Sequence, residues 1–200
     1  MSKVTCDIAA SVDGYVAGPN QSLDAPLGEG VEQSLHSWMF DAAEDNAEEI
    51  AAITEAGAYI MGRNMFGPSR DAWDLDWQGW WGAEPPYHAP VFVLTHYERE
   101  PLKMEGGTTF HFVTDGIEAA MERARAAAGE RTVAVAGGAS TVNQYLAAGL
   151  IDELRLHVAP VLLGQGERLF EGTGRVGLTP VSVRHTPLVT HLTYAVERAA

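Results

Sequence analysis

The stretch TVAVAGGASTVNQYLAAG, Thr132 to Gly149, constrains the fold more than any other part of the chain. A run of small apolar residues reads as a strand. ASTVNQYLAA reads as a helix, and only Gly137 and Gly138 separate the two. A strand feeding a helix through so short a turn belongs to an α/β unit, with the first helical N–H groups pointing outward and the positive end of the dipole behind them. Two readings of the glycine pair follow. It closes a tight turn under close helix–sheet packing, or it lets an anion reach backbone that a side chain would shield. No third glycine follows to complete a dinucleotide fingerprint, and no Gly-Lys-Ser/Thr follows to make a phosphate loop. Ser140 and Thr141 are placed to cap the helix or to donate to a phosphate.

Short strands and helices alternate along the rest of the chain. KVTCDIAASVDG alternates as a strand, with Val4, Cys6, Ile8 and Ala10 on one face. Asp13 to Gly30 is a loop rich in turn residues. Leu35, Trp38, Met39 and Ala42 form one helical stripe, Ala47, Ile50, Ala51 and Thr54 a second, and Gly57 stops the helix. Ala58–Met61 is a short buried strand. Asn64 to Ala89 holds four of the five tryptophans (Trp73, Trp77, Trp80 and Trp81) and reads as a covering loop that lines a pocket, makes a subunit contact or simply packs. Pro90–Leu94 and TTFHFV are strands, GIEAAMERARAAAG is a helix, and DELRLHVAP is a strand with Glu153, Arg155 and His157 on a solvated face. VSVRHT and THLTYAVE form a final hairpin. This order predicts one α/β domain over residues 1–200, with a mostly parallel central sheet, helices on both faces and a C-terminal antiparallel hairpin. Ligands of such sheets bind beyond the carboxyl ends of the strands, which points to the turns after Ala10, Met61 and Ala136.

Charge and composition narrow the partners. With 13 basic against 27 acidic residues the net charge is −14, which counts against nucleic acid but leaves room for a small anion held by local amides and arginines. No apolar run approaches the ~20 residues that span a bilayer, and no signal-like start is present. The single cysteine forms no internal disulfide and sits in a strand pattern as a core residue. A cytoplasmic protein without membrane contact is expected. The seven histidines lack metal-ligand spacing, so no metal site is expected. At the turns themselves, Arg63 after Gly62 can fork onto a phosphate or sit solvated. Thr95-His96 ends a strand with two polar groups, and Asp13-Gly14 is either turn chemistry or a carboxylate facing a substrate.

SVDGYVAG, MGRNMF, APVFVLTH, FVTDGIEAAMERA and VAVAGGASTVNQYLAAGLIDELRLHVAPVLLGQGERLF, in this order, resemble the dihydrofolate reductase-like family, and more closely its branch of riboflavin-biosynthesis reductase domains. The likeness covers nearly the whole chain, least of all the Trp-rich loop. It implies a dihydrofolate reductase-like three-layer fold and an NADPH-dependent reductase of a small conjugated heterocycle such as a pterin or pyrimidine. Dihydrofolate or 5-amino-6-(5-phosphoribosylamino)uracil are the type substrates. A relative that keeps the nucleotide-binding fold without catalysis, or takes a flavin or deazaflavin, is the alternative. By resemblance, Gly137, Gly138, Ala139, Ser140 and Thr141 take the cofactor diphosphate. Gly62, Arg63, Asn64 and Met65 take the adenine-nucleotide side, and Thr95 and His96 lie near the 2′-phosphate. Ala10 and the Ser11–Gly14 loop border nicotinamide and substrate. Dihydrofolate reductases place a carboxylate on the first helix; Asp41 and Asp13 are the candidates for that catalytic role. The basic residues that would clamp a ribose phosphate are not evident in this sequence. The resemblance also implies a homodimer.

Overall fold

The structure is a computed structural model and describes residues 2–69 and 71–197. In chain order the strands are β1 (Val4–Ser11), β2 (Tyr15–Ala17), β3 (Ala58–Gly62), β4 (Pro90–Leu94), β5 (Leu102–Lys103), β6 (Thr109–Val113), β7 (Val133–Gly137), β8 (Glu153–Ala159), β9 (Glu167–Arg168), β10 (Leu178–Thr186) and β11 (Val189–Val196). The α-helices are α1 (Ser37–Phe40), α2 (Ala47–Thr54), α3 (Arg63–Phe66), α4 (Gly116–Ala128) and α5 (Ala139–Ala147). Among the described residues the main sheet runs β10-β11-β8-β1-β7-β3-β4-β6-β5. The pairs from β8 to β6 are parallel, and β10, β11 and β5 are antiparallel additions at the two ends. This is the mainly parallel sheet with a C-terminal hairpin that strand–helix alternation predicts.

Period-two alternation assigns the two faces. Val4, Cys6, Ile8 and Ala10 of β1 pack with Ile60, Val133 and Val135 beneath α4 and α5, whose Ala120, Met121, Ala124, Val142, Tyr145 and Leu146 complete one core. Burial pushes the Cys6 thiol well up, so it stays neutral and behaves as a small core residue. The Tyr145 hydroxyl donates to the Ile117 carbonyl (2.7 Å) and ties α5 to α4. On the other face Tyr59, Met61, Val91, Val93 and Phe110 meet Phe66, Trp73, Trp77 and Trp81. Ala9 and Ala159 meet Val31 and Leu35 there. Three of the tryptophans therefore serve packing, with the Trp81 ring stacked on Phe110 at 5.8 Å and Phe66 edge-on to Phe110 at 5.0 Å.

Between Leu35 and Thr54 the structure departs from the predicted stripes. Leu35 and Trp38 are fully buried, but α1 lasts only four residues, a 3₁₀ turn follows at Glu44–Asn46, and no residue of α2 is buried. Asn46 explains the break. Its Nδ2 donates to the carbonyls of Trp38 (3.1 Å) and Ala42 (2.7 Å), so a side chain takes acceptors that a continuing helix would offer to backbone N–H groups. The same segment covers the sheet over β8, and His157, expected on a solvated face, is buried beneath it. The loop after β1 also contains a strand unforeseen in the sequence, because β2 pairs with β9 in a separate two-stranded ribbon.

Asn143 on α5 fixes the chain after β9. Its Nδ2 donates to the Arg168 carbonyl (3.2 Å) and its Oδ1 accepts from Phe170 N–H (2.8 Å). Asn143→Ala would leave both backbone groups unpaired in a largely buried place. Urea unfolding is expected to show a loss of about 1–3 kcal/mol with unchanged secondary structure.

Candidate functional site

The parallel strands bring the carboxyl ends of β1, β7, β3 and β4 side by side along one edge of the sheet. The Gly137-Gly138 turn lies in the middle, with the Ala10–Ser11 end on one side and Gly62-Arg63 then Thr95-His96 on the other. Tertiary order thus unites three turns far apart in sequence.

A gap opens at this edge. The β1–β7 ladder runs only from Val4↔Val133 to Cys6↔Val135, whereas β1–β8 continues to Ser11↔Ala159. Beyond Cys6, β1 therefore keeps its β8 partner while β7 turns away, and the β7-facing backbone of Ile8 to Ala10 borders a slot. Gly137 (φ 130°) sits at its mouth, and the peptide joining it to Gly138 is cis. A Cβ on Gly137 would be in ordinary van der Waals contact with Met65 Sδ at 3.4 Å and Ile8 Cδ1 at 3.9 Å, so the turn lies between α3 and β1. A Cβ on Gly138 would meet nothing within 4 Å. The sequence left tight packing and ligand approach as alternatives, and the two glycines divide them: Gly137 faces packing, Gly138 faces open space.

Gly138 is also the N-cap of α5, and the first intrahelical bond runs from Val142 N–H to its carbonyl (3.1 Å). The N–H groups of Ala139, Ser140 and Thr141 precede that bond and lie at the helix terminus. Their dipole contribution toward an anion is about 0.3–1 kcal/mol. Neither hydroxyl caps the helix. Ser140 is exposed and its Oγ accepts from Gln144 Nε2 (3.3 Å), whereas Thr141 is buried toward β3. A Cβ on Gly62 would lie 2.5 Å from Thr141 Oγ1, so glycine is required there by the approach of α5.

At the other end of the edge, the Arg63 guanidinium lies 3.5 Å over the Trp73 ring, and Arg99 stands 5.2 Å from the same ring. Arg99 Nη2 also donates to the carbonyls of Leu75 (3.0 Å) and Trp77 (2.8 Å), anchoring the Trp-rich loop. Arg63 Nε and Nη1 and Arg99 Nη1 are buried without a hydrogen-bond partner, and among the described residues neither arginine is in an ion pair. Burial first, and then the charge of Arg99, lower the Arg63 pKa. Buried donors without acceptors call for an acceptor. Thr95 Oγ1 accepts from Tyr97 N–H (3.2 Å) in the adjoining turn, and His96 is exposed. Sequence reasoning did not single out Arg99, and it left Trp73 among the loop tryptophans that line a pocket, make a subunit contact or pack.

A cavity of about 250 Å³ adjoins this edge, lined by Asn20, Gln21, Ser22, Pro26, Asn64, Gly67, Pro68, Trp80 and Glu167. Trp80 is thus the loop tryptophan that lines this cavity. Neither candidate acid lines it. Asp13 instead ties two loops together. Its carboxylate accepts from Ser11 Oγ–H (2.6 Å), Leu163 N–H (3.1 Å) and Gly164 N–H (2.7 Å), fastening the loop after β1 to the chain after β8. Those bonds, the one from Ser11 foremost, lower its pKa to about 2, so it stays ionised and has no proton to donate at neutral pH. Asp41 ends α1, exposed, away from the cavity lining. Of the two acids read from local sequence, the structure gives Asp13 partners in a distant loop and leaves Asp41 exposed at the end of α1. Among the described residues no cluster is suited to a metal, and no helix is long and apolar enough to cross a membrane.

A mostly parallel sheet covered on both faces, with a glycine turn, the amino end of α5 and two arginines along its carboxyl edge, defines an α/β protein of the doubly covered kind. The chain belongs to the RibD C-terminal domain family, whose profile matches residues 2–192. It is 23% identical over 193 residues to the uncharacterized protein YyaP of Bacillus subtilis (strain 168), covering 91% of this chain and 88% of that protein. A putative riboflavin biosynthesis protein from Shewanella sp. PV-4 has a similar structure, with TM-score 0.66, 25% identity and coverage of 99% and 100% of the two chains. The Saccharomyces cerevisiae riboflavin biosynthesis reductase Rib7 shares the fold at TM-score 0.55 and 14% identity, covering 98% and 89%.

The Gly62–Thr141 contact makes a prediction. Gly62→Ala should lower stability by about 1–3 kcal/mol through overpacking, and adding Thr141→Ala should restore much of it. Thermal unfolding of the single and double variants measures the coupling.

Proposed function

We propose that this chain is an NADPH-dependent reductase of a small conjugated heterocycle. The observation that supports it most is the slot where β1 and β7 part, next to a glycine with open space at its Cα and a helix terminus. In this reading the nicotinamide ring fits beside the backbone of Ile8 to Ala10, and the diphosphate meets the amides of Gly138 to Thr141. Arg63 and Arg99 place positive charge at this edge, toward which a ribose phosphate beside Thr95 and His96 would be drawn. Asn64 and Met65 carry α3 between these two places, with Met65 against Gly137.

The cofactor supplies the hydride, and the protein supplies binding, orientation and exclusion of water. Trp80 offers an aromatic face and Asn20, Gln21 and Ser22 offer polar groups to a ring in the adjoining cavity. Asp13 holds the floor of that loop as an anion, so the proton that completes reduction comes from elsewhere, solvent included. A cytoplasmic setting suits both the cofactor and the single buried thiol.

Titration with NADPH and with NADH, followed by quenching of tryptophan fluorescence, tests this reading. NADPH is expected to bind saturably and more tightly. Gly138→Asp should abolish binding without lowering the melting temperature, because its Cβ meets open space and aspartate is a favourable N-cap that occupies the anion position. Arg99→Ala should cost NADPH about tenfold or more and NADH little, as expected for a charged hydrogen bond worth ~1.5–3 kcal/mol. Absence of binding of either nucleotide at millimolar level would remove the reading.

We also propose a homodimer formed through β10, whose outer edge has no strand partner among the described residues and which exposes Val181 (60%) and Val183 (68%). Light scattering should give twice the 21.5 kDa chain mass, and Val183→Lys should shift it toward the monomer.

A further inference from the structure

Asp7, His157, His191 and Asn46 form a buried polar chain on the sheet face opposite α4 and α5, capped by Trp38. The His157 and His191 rings lie 4.8 and 5.1 Å from the Trp38 ring. His157 and His191 are nearly inaccessible, at 3% and 5% exposure. Their protons can be placed from one end. Asn46 Nδ2 already donates to the carbonyls of Trp38 and Ala42, so Asn46 Oδ1 is the atom that accepts, and His191 Nε2–H donates to it (2.8 Å). A neutral His191 then has a bare Nδ1. It faces His157 Nδ1 at 2.7 Å, so His157 Nδ1–H is the donor of that pair. His157 Nε2 remains. It is buried without a hydrogen-bond partner and lies 3.7 Å from Asp7 Oδ1. A bare Nε2 would set a lone pair against a carboxylate in a dry place; a proton on Nε2 turns the same contact into an attraction.

We propose that His157 is held doubly protonated and acts as a latch, gripping His191 through Nδ1 and Asp7 through Nε2, so that one buried proton pins the 35–46 segment and the loop before it onto the sheet. This inference stands on the buried cluster and is independent of the reductase reading. The mechanical link is continuous. Asn46 and Trp38 belong to the latched segment, Leu35 and Val31 pack on Ala9 and Ala159, and Val31 Cγ2 would be 2.6 Å from a Cβ on Gly18. Residues 20–22 and Pro26, between those anchors, line the 250 Å³ cavity. Releasing the latch therefore loosens one wall of that cavity.

The surrounding charges favour one cation and no second. On β1 and β8, Asp7 also meets Arg155 Nη1 (3.4 Å), which is bound in turn to Glu153 (2.6 Å), itself paired with Lys3 (2.6 Å). From α2, Glu49 Oε1 lies 4.0 Å from His191 Nε2 but accepts from Arg184 Nε of β10 at 2.7 Å. From the covering segment, His36 lies close enough to feel the His157 charge, with a buried Nδ1 that lacks a partner. Burial first, and then His157, lower the pKa of both His36 and His191 from 6.5 to about 4. Folded-state values below the unfolded value mean that stability declines as pH falls from about 6.5 toward 4, where only the unfolded chain takes up the protons. Near pH 4 a proton on His191 Nδ1 would oppose His157 Nδ1–H across 2.7 Å and break the latch.

Nitrogen-15 NMR of selectively labelled histidines tests the proton placement. At pH 7 His157 is expected with both ring nitrogens protonated and His191 as the Nε2–H tautomer with a bare Nδ1. In Asp7→Asn the asparagine amide can donate to a neutral Nε2, so His157 should lose that proton at pH 7. Limited proteolysis within residues 18–46 should speed up several-fold between pH 7 and pH 4.5 in the unaltered protein, and much less in His157→Gln run under the same conditions. A singly protonated His157 at pH 7, an unchanged His157 in Asp7→Asn, or equal pH dependence of cleavage in the two proteins overturns the latch.

Discussion

The parting of β1 from β7 organises the functional edge. Up to Cys6 and Val135 the two strands are bonded, and beyond that point β1 stays with β8 while β7 bends into Gly137-Gly138. Because backbone groups must find partners, a gap of this kind persists only where something else engages them or water does. Met65 and Ile8 flank Gly137, and Thr141 packs closely on Gly62, so α3, α5 and β1 surround the turn.

The two faces of the sheet solve burial differently. Beneath α4 and α5 the core is aliphatic and helical, with alanines allowing close approach. The other face is covered by short helices and irregular chain, and it buries polar matter: the Asp7–His157–His191–Asn46 chain at one end and the Arg63–Trp73–Arg99 group at the other. Buried polar groups are costly unless satisfied, and their cost is greatest where a single atom lacks a partner. The atoms of this face that lack a partner among the described residues include guanidinium nitrogens of Arg63 and Arg99, His36 Nδ1 and His157 Nε2.

The sequence was most legible where one periodicity governs a whole element. The alternation in β1, the apolar runs of β3 and β4, and the stripe and glycine stop of α4 each correspond to an element in the structure. It was least legible between Leu35 and Thr54, where a single side chain, Asn46, outcompetes the backbone for two carbonyls. The candidate site divides in the same way. The glycine turn and the Gly62-Arg63 pair were readable because each ends a recognisable strand. Arg99, and the bonding of Asp13, were not, since both depend on partners distant in sequence: Leu75 and Trp77 for one, Leu163 and Gly164 for the other.

The sequence by itself determined the element types, their order and the parallel sheet that this order implies, because these follow from local periodicity and turn chemistry. It also determined which turns carry glycine at a strand's end. Only the tertiary structure decided which glycine faces a neighbour and which faces open space, which tryptophan reaches a cavity, and that His157 is buried rather than solvated. The physical reason is that exposure, pairing and proton position are properties of contacts. A contact between β8 and a segment more than a hundred residues earlier is set by how the sheet is covered, which no local pattern encodes.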